Sequence, residues 1–95
     1  MSDPERMREL LNEVHSFPTR VVVKVIGNHD DDFEDLVVAA ISEVLRLEEL
    51  LETTSRRTAA GRHIAITCEP LFQNAEEVLE VYARLKEVPG VVMLL

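Results

Sequence analysis

The period of the hydrophobic positions changes several times along this chain, and the changes mark out its elements. Met7, Leu10, Leu11 and Val14 recur at helical spacing. Ser2 or Asp3 can cap this segment, and Pro4 sits where a missing N–H costs little, so a short helix is predicted that ends before Phe17 and Pro18. Thr19 to Ile26 is rich in β-branched residues, with Lys24 its only charge after Arg20. That pattern predicts a nearly fully buried central strand, and Gly27 and Asn28 are then expected to turn the chain. From Asp30 the period becomes 3.6. Phe33, Leu36, Val37, Ala40, Ile41, Val44 and Leu45 form one stripe, and Asp30 to Asp32 lie at the positive end of the predicted helix.

Glu49 to Thr54 is a weaker strand candidate, and Ser55 to Gly61, with Arg56 and Arg57, reads as an exposed hairpin connection. His63 to Glu69 alternates. Ile64, Ile66 and Cys68 face one way and His63, Ala65 and Thr67 the other, as in an antiparallel strand with one face on the core. Pro70 stops this strand. Asn74 and Glu77 then form an N-cap pairing ahead of Val78, Leu79, Tyr82 and Leu85. Pro89 and Gly90 close the second amphipathic helix, and Val91 to Leu95 is a terminal strand. Right-handed crossovers applied to this order give a ferredoxin-like βαββαβ sandwich: a four-stranded antiparallel sheet, two helices on one face and an extra short N-terminal helix. The other face of the sheet is left to the leading helix, to a partner or to a second copy, and the apolar Val22, Ile26 and Ala65 fall on it.

Composition narrows the picture. Ninety-five residues, 46% of them apolar and 29% charged, suit one globular domain over 1–95, with 1–16 as a helical extension. A net charge of −8 disfavours nucleic acid and anionic membranes as partners. No apolar run approaches the roughly 20 residues that span a bilayer, and the acidic start is unlike a signal peptide, so a cytoplasmic protein is expected. A single cysteine, Cys68, rules out an internal disulfide and multi-cysteine metal sites.

Candidate chemistry is sparse. Gly27-Asn28-His29-Asp30 looks like one metal motif of the calcineurin-like metallophosphoesterases, but the further ligands such a two-metal site requires are absent from the sequence. His29 in a turn and aspartates at a helix start explain the string more simply. Strand parity turns His63 away from Cys68, which reads as a buried, inert thiol. Arg56, Arg57, Arg62 and His63 form a local positive patch, for which solvated hairpin charge is the simpler account and an anionic ligand or acidic partner the functional one. His15 reads as a surface or cap residue. The strands lack the aromatic residues of RNA-recognition domains and the Cys-x-x-Cys of copper chaperones. Amino-acid-sensing ACT domains stay open, because their ligands bind where Gly27, Asn28 and His29 fall.

Leu10-Leu11 ahead of Phe17-Pro18-Thr19, Lys24-Val25-Ile26-Gly27 ending a strand, the alternating strand after Gly61 and the closing Val91 to Leu95 together resemble a bacterial family of unknown function, the YbeD-like domains, from about residue 8 to 95. The resemblance implies a ferredoxin-like fold similar to ACT regulatory domains, with no assigned catalytic activity. The chain departs from that pattern in its longer acidic turn, Asn28 to Asp32, and in the double arginine before Gly61.

The expectation is therefore a non-enzymatic regulatory or interaction module without metal or cofactor. It would bind a protein partner or itself, a homodimer for example, through Val22, Ile26, His63, Ala65, Arg56, Arg57 and Arg62. The alternative is a small-molecule sensor using Gly27, Asn28 and His29.

Overall fold

The computed structural model describes residues 3–29, 32–58 and 60–95. Its elements are α1 (Pro4–Val14), β1 (Thr19–Arg20), β2 (Val23–Asn28), α2 (Phe33–Leu45), β3 (Thr53–Arg57), β4 (His63–Cys68), β5 (Leu71–Phe72), α3 (Ala75–Leu85) and β6 (Val91–Leu94). Four strands form an antiparallel sheet in the order β3-β4-β2-β6. A separate two-stranded ladder joins β1 to β5, with Thr19 opposite Phe72.

Local chemistry explains the helix limits. Asp3 caps α1, its carboxylate accepting from the Glu5 and Arg6 N–H groups, and the backbone of His15 closes the other end on Leu11. Ser2, Asp30 and Asp31, to which the sequence assigns capping and dipole roles, lie outside the described residues. Asn74 Oδ1 accepts from the Glu77 N–H at 2.9 Å, and Glu77 Oε1 accepts in turn from the Gln73 N–H. This is the reciprocal arrangement of a capping box, reaching one residue further back. At the end of α2, Arg46 takes the left-handed conformation (φ 53°), and the Leu47 N–H returns to the Ser42 carbonyl.

The core lies between one face of the sheet and the helices α2 and α3. Val23, Val25, Ile66 and Cys68 meet Phe33, Val37, Ala40 and Ile41 of α2 and Val78, Val81 and Leu85 of α3. Both helices therefore cover the same side. An ion pair from Arg84 to Glu43 joins them. Helix α1 buries none of its own residues and lies against α3, held by Arg8 Nε on Glu76 Oε2 at 2.7 Å and by Leu11 against the core. It extends the helical layer and does not shield the far face of the sheet.

Three sequence expectations need correction. The strand expected over Thr19 to Ile26 is two pieces, interrupted at Val21 and Val22, and β2 is buried on one face only: Val23, Val25 and Gly27 are covered while Lys24 and Asn28 are exposed. Gly27 and Asn28 do not turn the chain; they continue β2, opposite Ile64 and His63. The strand expected over Glu49 to Thr54 begins only at Thr53, and it runs on through Ser55, Arg56 and Arg57, which are not hairpin connection but strand β3. A polar, doubly cationic strand is tolerated here because β3 is an edge strand.

Candidate functional site

Strand alternation divides the side chains of the sheet between the core and an open face. Since Val23, Val25, Ile66 and Cys68 are buried, Lys24, Ile26, Asn28, His63, Ala65, Thr67, Thr54 and Arg56 fall on the opposite side. In β6, Leu94 stands opposite Val25 on the core side, which puts Met93, opposite Ile26, on the open face. The register arranges these residues in rows. One row runs Arg56, Ala65, Ile26, Met93. At about 4.8 Å per strand it is roughly 14 Å wide. The next runs Thr54, Thr67, Lys24 and on to Leu95, whose N–H donates to the Lys24 carbonyl at 2.9 Å. A third pairs Asn28 with His63. Ile26 and Ala65 are half-buried by their neighbours, and Met93 is 50% exposed.

Charge is distributed unevenly. Of the 18 acidic residues in the chain none lies in the four strands of this sheet, whose charged residues are Lys24, Arg56 and Arg57. At the hairpin end, Arg57 Nε donates to His29 Nε2 at 3.1 Å, and the His29 N–H donates to the Arg62 carbonyl at 3.3 Å. His29 thus stands with Arg57 and Arg62. Thr58 closes the turn, donating its N–H to the His63 carbonyl and accepting the His63 N–H on Oγ1, with Gly61 in the left-handed region (φ 70°). Glu52 and Glu69 flank the opposite end of the sheet, just outside β3 and β4.

Of the residues singled out from sequence, the fold places Ile26, His63, Ala65 and Arg56 on the open face. It groups Arg57 and Arg62 with His29 at one end of the sheet. Val22, 54% exposed, lies between β1 and β2, outside the four strands. Gly27 is a core position: a Cβ built on it would come within 2.6 Å of Cε1 and Cε2 of Phe33, so the aromatic ring occupies the space above this glycine. Lys24, Met93 and Leu95 are on this face without being singled out by the sequence. The alternation of β2 could have yielded Lys24, but Met93 needs the β2–β6 register, which no local pattern carries.

The remaining groups offer little chemistry. Burial pushes the Cys68 thiol up to about 11, which keeps it protonated and unreactive at neutral pH. Tyr82 is also raised, by burial and then by the nearby Cys68, and its hydroxyl donates to a main-chain oxygen of Leu95 at 3.2 Å. His15 caps α1 and rests its ring against Phe17, centroids 5.8 Å apart. An open cleft of about 1180 Å³ lies under the segment 46–52, lined by Arg20, Arg46, Leu50, Cys68 and Glu69 among others. The Arg20 guanidinium is held there by the Glu69 carbonyl at 2.9 Å.

The fold and surface define a small α+β domain of three helices and a four-stranded antiparallel sheet, with one sheet face covered by helices and the other open. No helix among the described residues is long and apolar enough to cross a membrane. The chain belongs to the family described as protein of unknown function (DUF493), whose pattern matches residues 12–95. Comparison with curated proteins gives no match.

Proposed function

We propose that the domain is a non-enzymatic interaction or regulatory module of ferredoxin-like βαββαβ architecture, YbeD-like in kind and cytoplasmic. It docks a protein, either a partner or a second copy, on its open sheet face or along the edges β3 and β6. The observation that carries this reading is the row Ala65, Ile26, Met93, an apolar strip across three strands that none of the three helices covers. Two edge strands with unpaired backbone groups add to it. The reading takes precedence over ACT-like sensing because Gly27 lies inside β2 and the Phe33 ring fills the space over it that a small molecule there would need.

A photo-crosslinking residue placed at Ala65, and for comparison at the exposed Ala39 of α2, tests the proposal in living cells. Adducts with a defined protein at Ala65 and not at Ala39 are expected. Absence of adducts at Ala65, or equal labelling at both positions, would refute the open face as a docking surface. A thermal-shift screen of amino acids and metabolites tests the sensor reading: a ligand at 100 times its Kd stabilises by about 2.7 kcal/mol, so uniformly flat melts remove it.

A further inference from the structure

The open face is cationic and apolar on a protein that is otherwise strongly acidic. Its charged residues are Lys24 and Arg56, with His63 beside them, and Arg57 and Arg62 stand at the adjoining hairpin end. No aspartate or glutamate belongs to the four strands, and those among the described residues lie on the helices and the connections. Helices α2 and α3 cover the opposite side of the sheet, so their carboxylates do not lie on the open face. Glu52 and Glu69, just beyond the strands at the other end, give the face a direction, cationic toward the hairpin.

We infer that this face takes an acidic segment of a partner protein, one that sets apolar side chains on Ala65, Ile26 and Met93 and carboxylates against Lys24 and Arg56. This inference rests on the reading of the open face as a docking surface. Charge complementarity chooses the occupant. A second copy stacked face to face presents the same Lys24 and Arg56 and, at its rim, only Glu52 and Glu69, fewer carboxylates than an acidic segment brings to these cations. Nucleic acid would meet a sheet with no aromatic residue on its strands and a net charge of −8. An acidic polypeptide meets both the apolar row and the cations that bound it.

A fluorescein-labelled peptide alternating glutamate and leucine is the probe, read by anisotropy, with the lysine–leucine peptide and a single-stranded oligonucleotide as controls. The native chain should bind the acidic peptide and neither control, with affinity falling as salt rises. Lys24→Glu with Arg56→Glu should weaken binding by about tenfold or more. Arg6→Glu with Lys86→Glu, which changes net charge equally at an exposed position of α1 and at the exposed C-cap of α3, should leave it nearly unchanged. Both pairs alter exposed side chains, and far-ultraviolet circular dichroism checks that each variant is folded. Equal loss in the two double variants, preference for either control, or no binding of the acidic peptide overturns the inference. Ala65 adducts formed only with a second copy overturn it too while leaving the docking surface standing, whereas no Ala65 adduct of any kind removes the docking surface itself.

Discussion

Gly27 has no side chain, and the Phe33 ring lies where one would begin. Gly90 (φ 94°) approaches the same ring, its would-be Cβ 3.5 Å from Cδ1. A methyl at position 27 must displace an aromatic side chain that is itself fully buried, and overpacking of this kind costs about 1–3 kcal/mol. Gly27→Ala should therefore lower the urea midpoint without changing the slope, and Gly27→Ala combined with Phe33→Leu should lose less than the two single changes added together. Additive losses would mean that the ring does not constrain the glycine. Cys68 supplies a pH prediction with a definite sign. Burial holds its thiol near 11 in the folded chain, against 9.0 for the free group, so the folded state favours the neutral form. That advantage is present in full below the unfolded value and is lost as pH rises from about 9 toward 11. Denaturant titrations across this range should show stability falling with pH, less steeply in Cys68→Ala; Tyr82, raised in the same direction, supplies part of the slope that remains. In the native chain a thiol reagent at neutral pH should label Cys68 only as fast as the protein opens.

At the level of elements, the helices are secured unequally. Helix α3 buries Ala75, Val78, Val81 and Leu85 and carries the Asn74 cap; Asn74→Ala should cost about 1 kcal/mol in chemical denaturation. Helix α1 has no fully buried residue and is held by an exposed ion pair to α3 and by the half-buried Leu11. Such pairs contribute about 0–1 kcal/mol, so Glu76→Gln should change stability by less than Asn74→Ala does. Amide exchange should show α1 opening well before β2 and β4; protection of α1 equal to that of the central strands would contradict this order. These elements differ also in how legible they were. The stripes of α2 and α3 and the alternation of β4 are periodic over six residues or more, and such signals survive tertiary context. The ladder of β1 with β5 is two residues long on each side and carries no period at all. Gly27 reads as a turn in the sequence because glycine marks turns and close packing alike, and only the position of Phe33 distinguishes them. Thr53 to Arg57 has the composition of a loop, and its pairing with β4 comes from the partner strand, not from its own residues.

For the molecule as a whole, charge is the feature that sequence shows in sum and structure shows in place. A net −8 was visible at once; that the sheet holds none of the carboxylates required strand limits and register. The same applies to the candidate surface, where Ile26, Ala65 and His63 follow from parity but Arg56, Met93 and Leu95 do not, since Arg56 is a strand residue only through its pairing with β4 and the other two arrive from a segment distant in sequence. The excess of carboxylates outside the sheet predicts self-repulsion that salt relieves. Between about 0.01 M and 0.15 M ionic strength the screening length shrinks from about 30 to 8 Å, and the melting temperature should rise over that interval. A fall would mean that attractive pairs such as Arg8–Glu76 outweigh the repulsion. The pairing of β6 with β2 has a further consequence during synthesis. Residues 23–28 leave the ribosome long before residues 91–94, and at about 5–20 residues per second the interval is several seconds. Throughout that time one side of β2 has no native neighbour, and the nascent polypeptide presents Val25 and Ile26 there to whatever chaperone stands at the exit tunnel.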